Sequence, residues 1–516
     1  MLPVFSLPSR TGIGCFGAEA YEFIDFLAAA GQNAWQILPL GPIDQWYSPY
    51  QPCSTCAGEP LYIDLVKLEQ EGLLTAKELD NYCREVRADG AKVRYEQVVS
   101  AKEKLLRAAY DRMSDLRGRT AQDEACDPDY FRQFDAVCEE HSDWLSDYCL
   151  FMALREHHGG GPWTEWEPAC ASRDPQALEK TRGYLRESMD YYAWQQYEFF
   201  RQWNALRGYA GERGIQIIGD MPYYVTLDSV ECWKDPSLFR LDGQHRPIVI
   251  SGAPGDRFDR RGQVWNSPVY DWASHGESLI SWWEERIRRG FDFYDVIRLD
   301  HVRAFTAYYA IPADRPQARY GSWQKGPGAA VFEPLAAEIA RGRLIAEDLG
   351  VITGDVREMM REAKLPGMAV LQFAFDSGKR NPYRPGNIRA GTVVYTGTHD
   401  NDTTAGWYRG LSLMRRWRVD RFCRAAAEIS PANYNRLGAD ERTETVTRTL
   451  IRAALRSEGS LAIIPLQDYL TLGSEARINT PGTTGDNWCW RVDRALLTAE
   501  TVDRIRNAGA EEQATS

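Results

Sequence analysis

Eight short apolar runs, mostly separated by stretches of helical periodicity, constrain this chain more than any other feature. The runs are Leu2–Phe5, Trp35–Leu40, Ile215–Ile218, Val296–Leu299, Leu344–Ala346, Met368–Phe375, Val393–Tyr395 and Leu461–Leu466. The helical stretches include Ala18–Ala30, Glu277–Arg289, Ala329–Arg341 and Glu441–Ser457. Branched runs that stop at a turn or a polar residue read as buried strands. Their alternation with helices predicts parallel βαβ units rather than a sandwich or a bundle. Eight is the number that closes a (β/α)8 barrel, so the predicted fold class is α/β, a TIM barrel in preference to an open doubly wound sheet.

The rhythm breaks between the second and third runs. Thr75-Ala-Lys-Glu78 has capping-box spacing. Phe134, Val137, Cys138, His141, Leu145, Tyr148, Cys149 and Met152 follow a 3.6 period, predicting one helix that Gly159-Gly160-Gly161 stops. Tyr197, Phe200, Trp203 and Leu206 then lead along a long helix into Gly214. The predicted division is a barrel start at 1–65, a helical insertion at 66–199, and the rest of the barrel at 200–516. Loop insertions are expected around 225–275 and 376–390, and the tail from Ala508 is expected to fray.

Composition removes several function classes. Lys and Arg number 61 against 73 Asp and Glu, a net charge of −12, which argues against nucleic acid or an anionic membrane as the main partner. No window holds 18 apolar residues, and MLPVFSLPSR lacks the charged leader of a secretory signal. Eleven cysteines at irregular spacings suit reduced thiols and a cytoplasmic location. Cys53-Ser-Thr-Cys56 has no answering pair and reads as loop rather than a zinc or redox site. Seventeen Trp, 26 Tyr and 18 Phe, many in Gly/Pro-rich loops, suit a groove for stacking ligands.

Gly12-Ile-Gly14-Cys-Phe-Gly17 matches the dinucleotide fingerprint, but Trp35–Leu40 runs into Gly41-Pro42 with no carboxylate before Asp44. Dinucleotide binding wants an acidic residue closing that strand, so no cofactor is expected. His157 and His158 are adjacent and cannot form a helical metal pair, and no HExxH, P-loop or G-x-S-x-G occurs, so no metal is expected. The informative residues end the apolar runs: Asp220, Asp300-His301, Glu347-Asp348, His399-Asp400-Asn401-Asp402 and Gln467-Asp468. One such Asp is commonly a helix cap. Several together converge on the C-terminal rim of a parallel barrel, where such folds place their chemistry. Paired carboxylates without metal-ligand spacing point to glycosidic chemistry.

Seven strings carry a family resemblance: Trp35-Gln-Ile-Leu-Pro-Leu-Gly-Pro42, Ser48-Pro-Tyr-Gln51, Gly219-Asp-Met-Pro222, Arg298-Leu-Asp-His301, Ala346-Glu-Asp-Leu-Gly350, Thr398-His-Asp-Asn-Asp402 and Glu475-Ala-Arg-Ile-Asn-Thr-Pro-Gly482. In this order they resemble the 4-alpha-glucanotransferases, or amylomaltases, of the alpha-amylase clan. The resemblance implies retaining transfer of alpha-1,4-glucan segments between maltooligosaccharides, or glucans derived from starch or glycogen. It implies Asp300 as nucleophile, Glu347 as general acid/base and Asp400 as transition-state stabiliser. Arg298, His301 and His399 are implied to hold the nucleophile and grip the sugar, with Asp220 at the end of the third barrel strand. Tyr50, Asp256, Trp265 and Asn479 complete the expected substrate-binding set.

The residue types fit that chemistry independently. Arg298 lies two residues before Asp300, on the same side of a strand, where its charge favours an ionised carboxylate. Glu347 must start protonated, which burial and negative neighbours promote. A covalent intermediate predicts carboxyls of Asp300 and Glu347 about 5–5.5 Å apart. Tyr50, Trp265 and Tyr270 are candidate platforms for an acceptor sugar. The chain departs from the family at Ile43–Tyr47, at Pro52–Glu59, at Arg257, at Pro385-Gly386-Asn387, and at Trp265-Asn-Ser-Pro268, where Trp-Gly-Asn-Pro is usual. These departures read as drift in preference to altered specificity. The competing readings are an amylase-like hydrolase, a non-catalytic carbohydrate-binding protein and an NAD-dependent enzyme.

Overall fold

The computed structural model describes residues 1–86, 91–118, 128–255 and 261–510. Eleven strands form among them: β1 Ala34–Gln36, β2 Gln216–Met221, β3 Val249–Ala253, β4 Gln263–Pro268, β5 Val296–Leu299, β6 Ala307–Pro312, β7 Ser322–Lys325, β8 Leu344–Ala346, β9 Met368–Val370, β10 Val393–Tyr395 and β11 Leu461–Ile463. Seven of the predicted runs contribute strands to two parallel sheets, β1-β2-β5-β8 and β9-β10-β11. Registers such as Trp35↔Ile217, Ile218↔Val296 and Leu299↔Ala346 bring the polar strand ends to one side. The fold is α/β.

Hydrogen bonds link the ends of the two sheets. Ala346 N donates to Pro366 O at 2.8 Å, and Met368 N donates to Asp348 Oδ1 at 2.7 Å. On the other side Leu2 N donates to Gln36 O at 3.0 Å, and Leu466 N donates to Met1 O at 3.1 Å. The first run therefore lies between β1 and β11 without forming a regular strand. Pro3 has no N–H with which to extend a ladder, and Val4–Ser6 coil into a 3-10 helix instead. Gly14, part of the dinucleotide-like pattern, serves this packing: a Cβ there would lie 1.9 Å from Val4 O.

Helices fill the space between β1 and β2, the longest being Tyr95–Gly118 and Arg186–Glu212. Thr75 and Glu78 make the predicted capping box, with Thr75 N donating to Glu78 Oε2 at 2.8 Å and Glu78 N to Thr75 Oγ1 at 3.3 Å. The single helix predicted through 134–152 is two, Pro128–Glu140 and Ser142–His157, broken where His141 leaves helical geometry. The 329–341 stretch is mostly a 3-10 helix, Gly328–Leu335, because Pro334 removes a donor. Helix Arg186–Glu212 buries Trp194, Phe199, Trp203 and Leu206, and Trp203 Nε1 donates to Phe293 O at 2.9 Å, tying it to the end of helix Trp272–Phe293 that leads into β5. Helix Ala499–Ala510 includes the start of the tail expected to fray, and 511–516 lie outside the described residues.

An antiparallel sheet was not expected. β4-β3-β6-β7 is antiparallel and sits in the connections before and after β5. Gln263-Val-Trp-Asn-Ser-Pro268 and Ser322-Trp-Gln-Lys325 are too polar and too exposed to read as strands. Backbone pairing with β3 and β6 decides them.

Candidate active site

Parallel strands all end on the same side, so residues distant in the chain meet there. Asp220 is the penultimate residue of β2, Arg298 lies on β5, Asp300 and His301 follow β5, Glu347 follows β8, and His399 and Asp400 follow β10. Asp300 N donates to Met221 O at 2.9 Å and Glu347 N to Leu299 O at 2.9 Å, stitching three strand ends together.

Arg298 is buried at the centre. Its Nη1 donates to both carboxylate oxygens of Asp220 at 2.7 Å and to Asp300 Oδ1 at 3.1 Å. Asp220 Oδ2 also accepts from Tyr50 Oη at 2.8 Å. Glu347 Oε2 accepts from His301 N at 2.8 Å, and its Oε1 from Leu349 N at 2.7 Å. The residue after Asp300 thus holds the Glu347 carboxyl, which places both acids at one mouth. Asp300 keeps 29% of its side chain exposed and Asp400 keeps 46%, so a ligand can reach them.

Burial lifts Asp300 well above the usual carboxylate range; Arg298 opposes the shift and Glu347 adds to it. Burial also raises Glu347, against Arg298 and the two backbone N–H groups. Arg298 thus favours the ionised form of Asp300, as the sequence suggests, and burial favours the protonated form of Glu347, while burial of Asp300 works against its ionisation. Arg298 makes its shorter contacts with Asp220, and the two acids share the tendency to hold a proton.

Burial disfavours the charged form of both His399 and His301. Burial lowers His399, whose Nε2 lies 3.3 Å from Asp400 Oδ1 and whose Nδ1 lies 3.4 Å from Tyr50 Oη. Burial and Arg303 bring His301 down to about 3. His301 adopts φ +51°, a conformation that sets its ring edge-on to Trp265 at 4.9 Å. Asn479 Nδ2 donates to Asp400 Oδ1 at 2.6 Å.

Residues 2–498 match the sequence model of a family described as 4-alpha-glucanotransferase. The chain belongs to the 4-alpha-glucanotransferase family. It is 40% identical to the 4-alpha-glucanotransferase of Thermus thermophilus, over 97% of this chain and 95% of that protein. It is 37% identical to that of Clostridium butyricum, over 97% of each. Amylomaltase from Streptococcus agalactiae in complex with acarbose superposes with a TM-score of 0.88 at 34% identity, covering 98% of this chain and 97% of that one.

Within this family member, several expected residues take different places. Tyr270 is no platform: it is buried among Tyr223, Tyr224 and Trp283, with its hydroxyl donating to Tyr223 O at 2.8 Å. Tyr50 is half-buried, stacked on His399 at 5.1 Å and anchored to Asp220, so it braces the site as well as facing it. Asp468 is buried and accepts from Thr396 Oγ1, Thr404 N and Thr404 Oγ1, tying β10 to the segment after β11 rather than joining the acids. Asp256 and Arg257 lie outside the described residues. Sequence reasoning missed Arg477, whose Nη2 donates to Asp400 O at 2.7 Å and whose Nε donates to Asn479 O at 2.7 Å. It also missed Trp488, which packs on both Tyr50 and His399. Arg477 sits inside the matching 475–482 string, so that string was its signal; Trp488 carried none.

Two departures from the family pattern have a structural account. Asn266 sits at φ +61°, so the backbone there asks for Gly or Asn, and this chain uses Asn. Glu59, buried, accepts from Ile43 N at 2.8 Å and Leu61 N at 3.0 Å, closing the loop that carries Tyr50.

Proposed function

We propose that this enzyme transfers alpha-1,4-glucan segments through a covalent glycosyl-enzyme on Asp300. Glu347 gives its proton to the glycosidic oxygen as the bond from the anomeric carbon breaks, and an Asp300 oxygen forms an ester to that carbon. An acceptor hydroxyl then attacks the same carbon, its proton passes to Glu347, and Asp300 leaves. Arg298, in contact with Asp300, draws the shared proton away from the nucleophile, while each Glu347 oxygen keeps a lone-pair position for it. Asp400, oriented by Asn479, faces the positive charge that develops on the sugar ring. His301, His399, Tyr50 and Trp265 hold the sugar, and Asp220 holds Arg298.

The observation that carries this reading is the convergence of Asp300, Glu347 and Arg298 through direct and backbone bonds at one set of strand ends. These acids act without a cofactor. The two parallel sheets, with the Met1–Pro3 segment between β1 and β11, are read as one closed (β/α)8 barrel, with 66–199 as its helical insertion. The substrates are maltooligosaccharides and starch- or glycogen-derived glucans, met in the cytoplasm. The divergent loops at 43–59 and 252–268 are read as drift that keeps the reaction.

Incubation with maltotriose tests the reaction: transfer yields glucose plus longer chains, whereas hydrolysis yields shorter products alone. Asp300→Asn is expected to abolish both transfer and hydrolysis while leaving the melting temperature close to wild type. Near-normal activity in that variant refutes the nucleophile assignment.

A further inference from the structure

Trp323 stands on the edge strand β7 with 41% of its surface exposed. Its ring is held from behind. The Arg303 guanidinium carbon lies 3.8 Å from the ring centroid, and Tyr309, its register partner on β6, meets it edge-on at 5.1 Å. Arg303 is itself buried and fixed, its Nη1 donating to Val351 O at 2.7 Å, while its Nε is buried without a partner. The strand is clamped as well. Gly326 N donates to Thr306 O at 2.8 Å, and a Cβ on Gly326 would lie 2.3 Å from Phe305 O.

This platform is tied to the two segments that follow the acids, because Arg303 Nη1 bonds Val351 O. Arg303 follows Asp300 by three residues, a chain span of at most about 11 Å. Val351, 53% exposed, follows Glu347 by four. An aromatic face backed by a cation and left open on its other side offers stacking to a flat, partly apolar ring. The C–H face of a pyranose has that chemistry.

We propose that Trp323, backed by Arg303, is an outer subsite that stacks on a glucosyl unit of the alpha-glucan chain beyond the reacting sugar. The proposal rests on the glucan-transfer reading of the cleft. It makes Trp323 a chain-length determinant: long substrates use it, and short ones end before it.

The test compares maltotriose and maltoheptaose as substrates of wild type, Trp323→Ala and Trp323→Phe. Trp323→Ala is expected to lose about tenfold in kcat/KM on maltoheptaose through KM, equivalent to ~1.4 kcal/mol, and to keep maltotriose turnover. Trp323→Phe should restore most of the loss. Equal loss on both substrates, or no loss on either, overturns the subsite. A second arm titrates maltoheptaose calorimetrically into Asp300→Asn with and without Trp323→Ala, where weaker binding in the double variant is expected and equal binding overturns the proposal. If wild type makes no longer chains from maltotriose, the transfer reading fails, while this binding arm still judges the subsite by itself.

Discussion

Arg298 Nη1 lies 2.7 Å from each carboxylate oxygen of Asp220 but 3.1 Å from Asp300 Oδ1, so the cation beside Asp300 is held chiefly by another acid. Both side chains of the Arg298–Asp220 pair are almost wholly buried. Removing one partner of a buried pair leaves an uncompensated charge and costs about 3–5 kcal/mol. Asp220→Asn should therefore lower unfolding stability in denaturant by about that amount, and lower kcat as Arg298 and Tyr50 lose their shared anchor. A stability change below about 1 kcal/mol would show the pair to be dispensable.

Asn479 supplies the closest contact to Asp400, 2.6 Å from Nδ2 to Oδ1. A positioned donor of this kind is worth about 10²–10³ in rate when it orients charge in the transition state. Asn479→Ala is expected to reduce kcat by about 10²-fold with a smaller effect on KM. Steady-state kinetics on maltotriose checks this, and a change confined to KM would assign Asn479 to ground-state binding alone.

Asp348 gives a pH-dependent prediction. Burial, with Glu347 beside it, pushes this carboxyl up to about 7, although Met368 N donates to it. The unfolded chain ionises near pH 4, whereas the fold resists ionisation until about pH 7. The contribution to stability is thus complete below pH 4 and is lost as pH rises to 7. Asp348→Asn keeps an acceptor for Met368 N and has no proton to lose. Its melting temperature should gain on wild type between pH 4 and 8; parallel profiles would contradict the assignment.

Gly219 precedes Asp220 on β2, and a Cβ at that position would lie 2.1 Å from the Tyr294 ring. Tyr294 is buried and its hydroxyl accepts from Leu40 N at 2.9 Å, so it has little room to retreat. Gly219→Ala should destabilise by about 1–3 kcal/mol through overpacking, and should impair activity by displacing Asp220. Denaturant titration alongside kinetics reads both effects, and an unaltered midpoint would mean that the ring can move aside.

The acids were legible because their signal is local. An apolar branched run makes a buried strand wherever it lies, and a polar residue at its end must stand at the strand's mouth; Asp220, Asp300, Glu347 and Asp400 all follow that rule. Helix limits were legible where a cap or a proline marked them, as at Thr75 and Glu78. Tyr270 looked equally suitable for the cleft, but Tyr223 and Trp283, distant in the chain, enclose it. β4 and β7 were invisible because their stability comes from partners across the sheet and not from their own residues. The composition and order of residues thus determined an α/β chain with a row of strand-end acids. Tertiary structure alone decided that Arg298 is shared between Asp220 and Asp300, and that Glu347 is gripped by the amide of the residue after Asp300, because hydrogen bonding and desolvation depend on distances between residues that sequence separation does not encode.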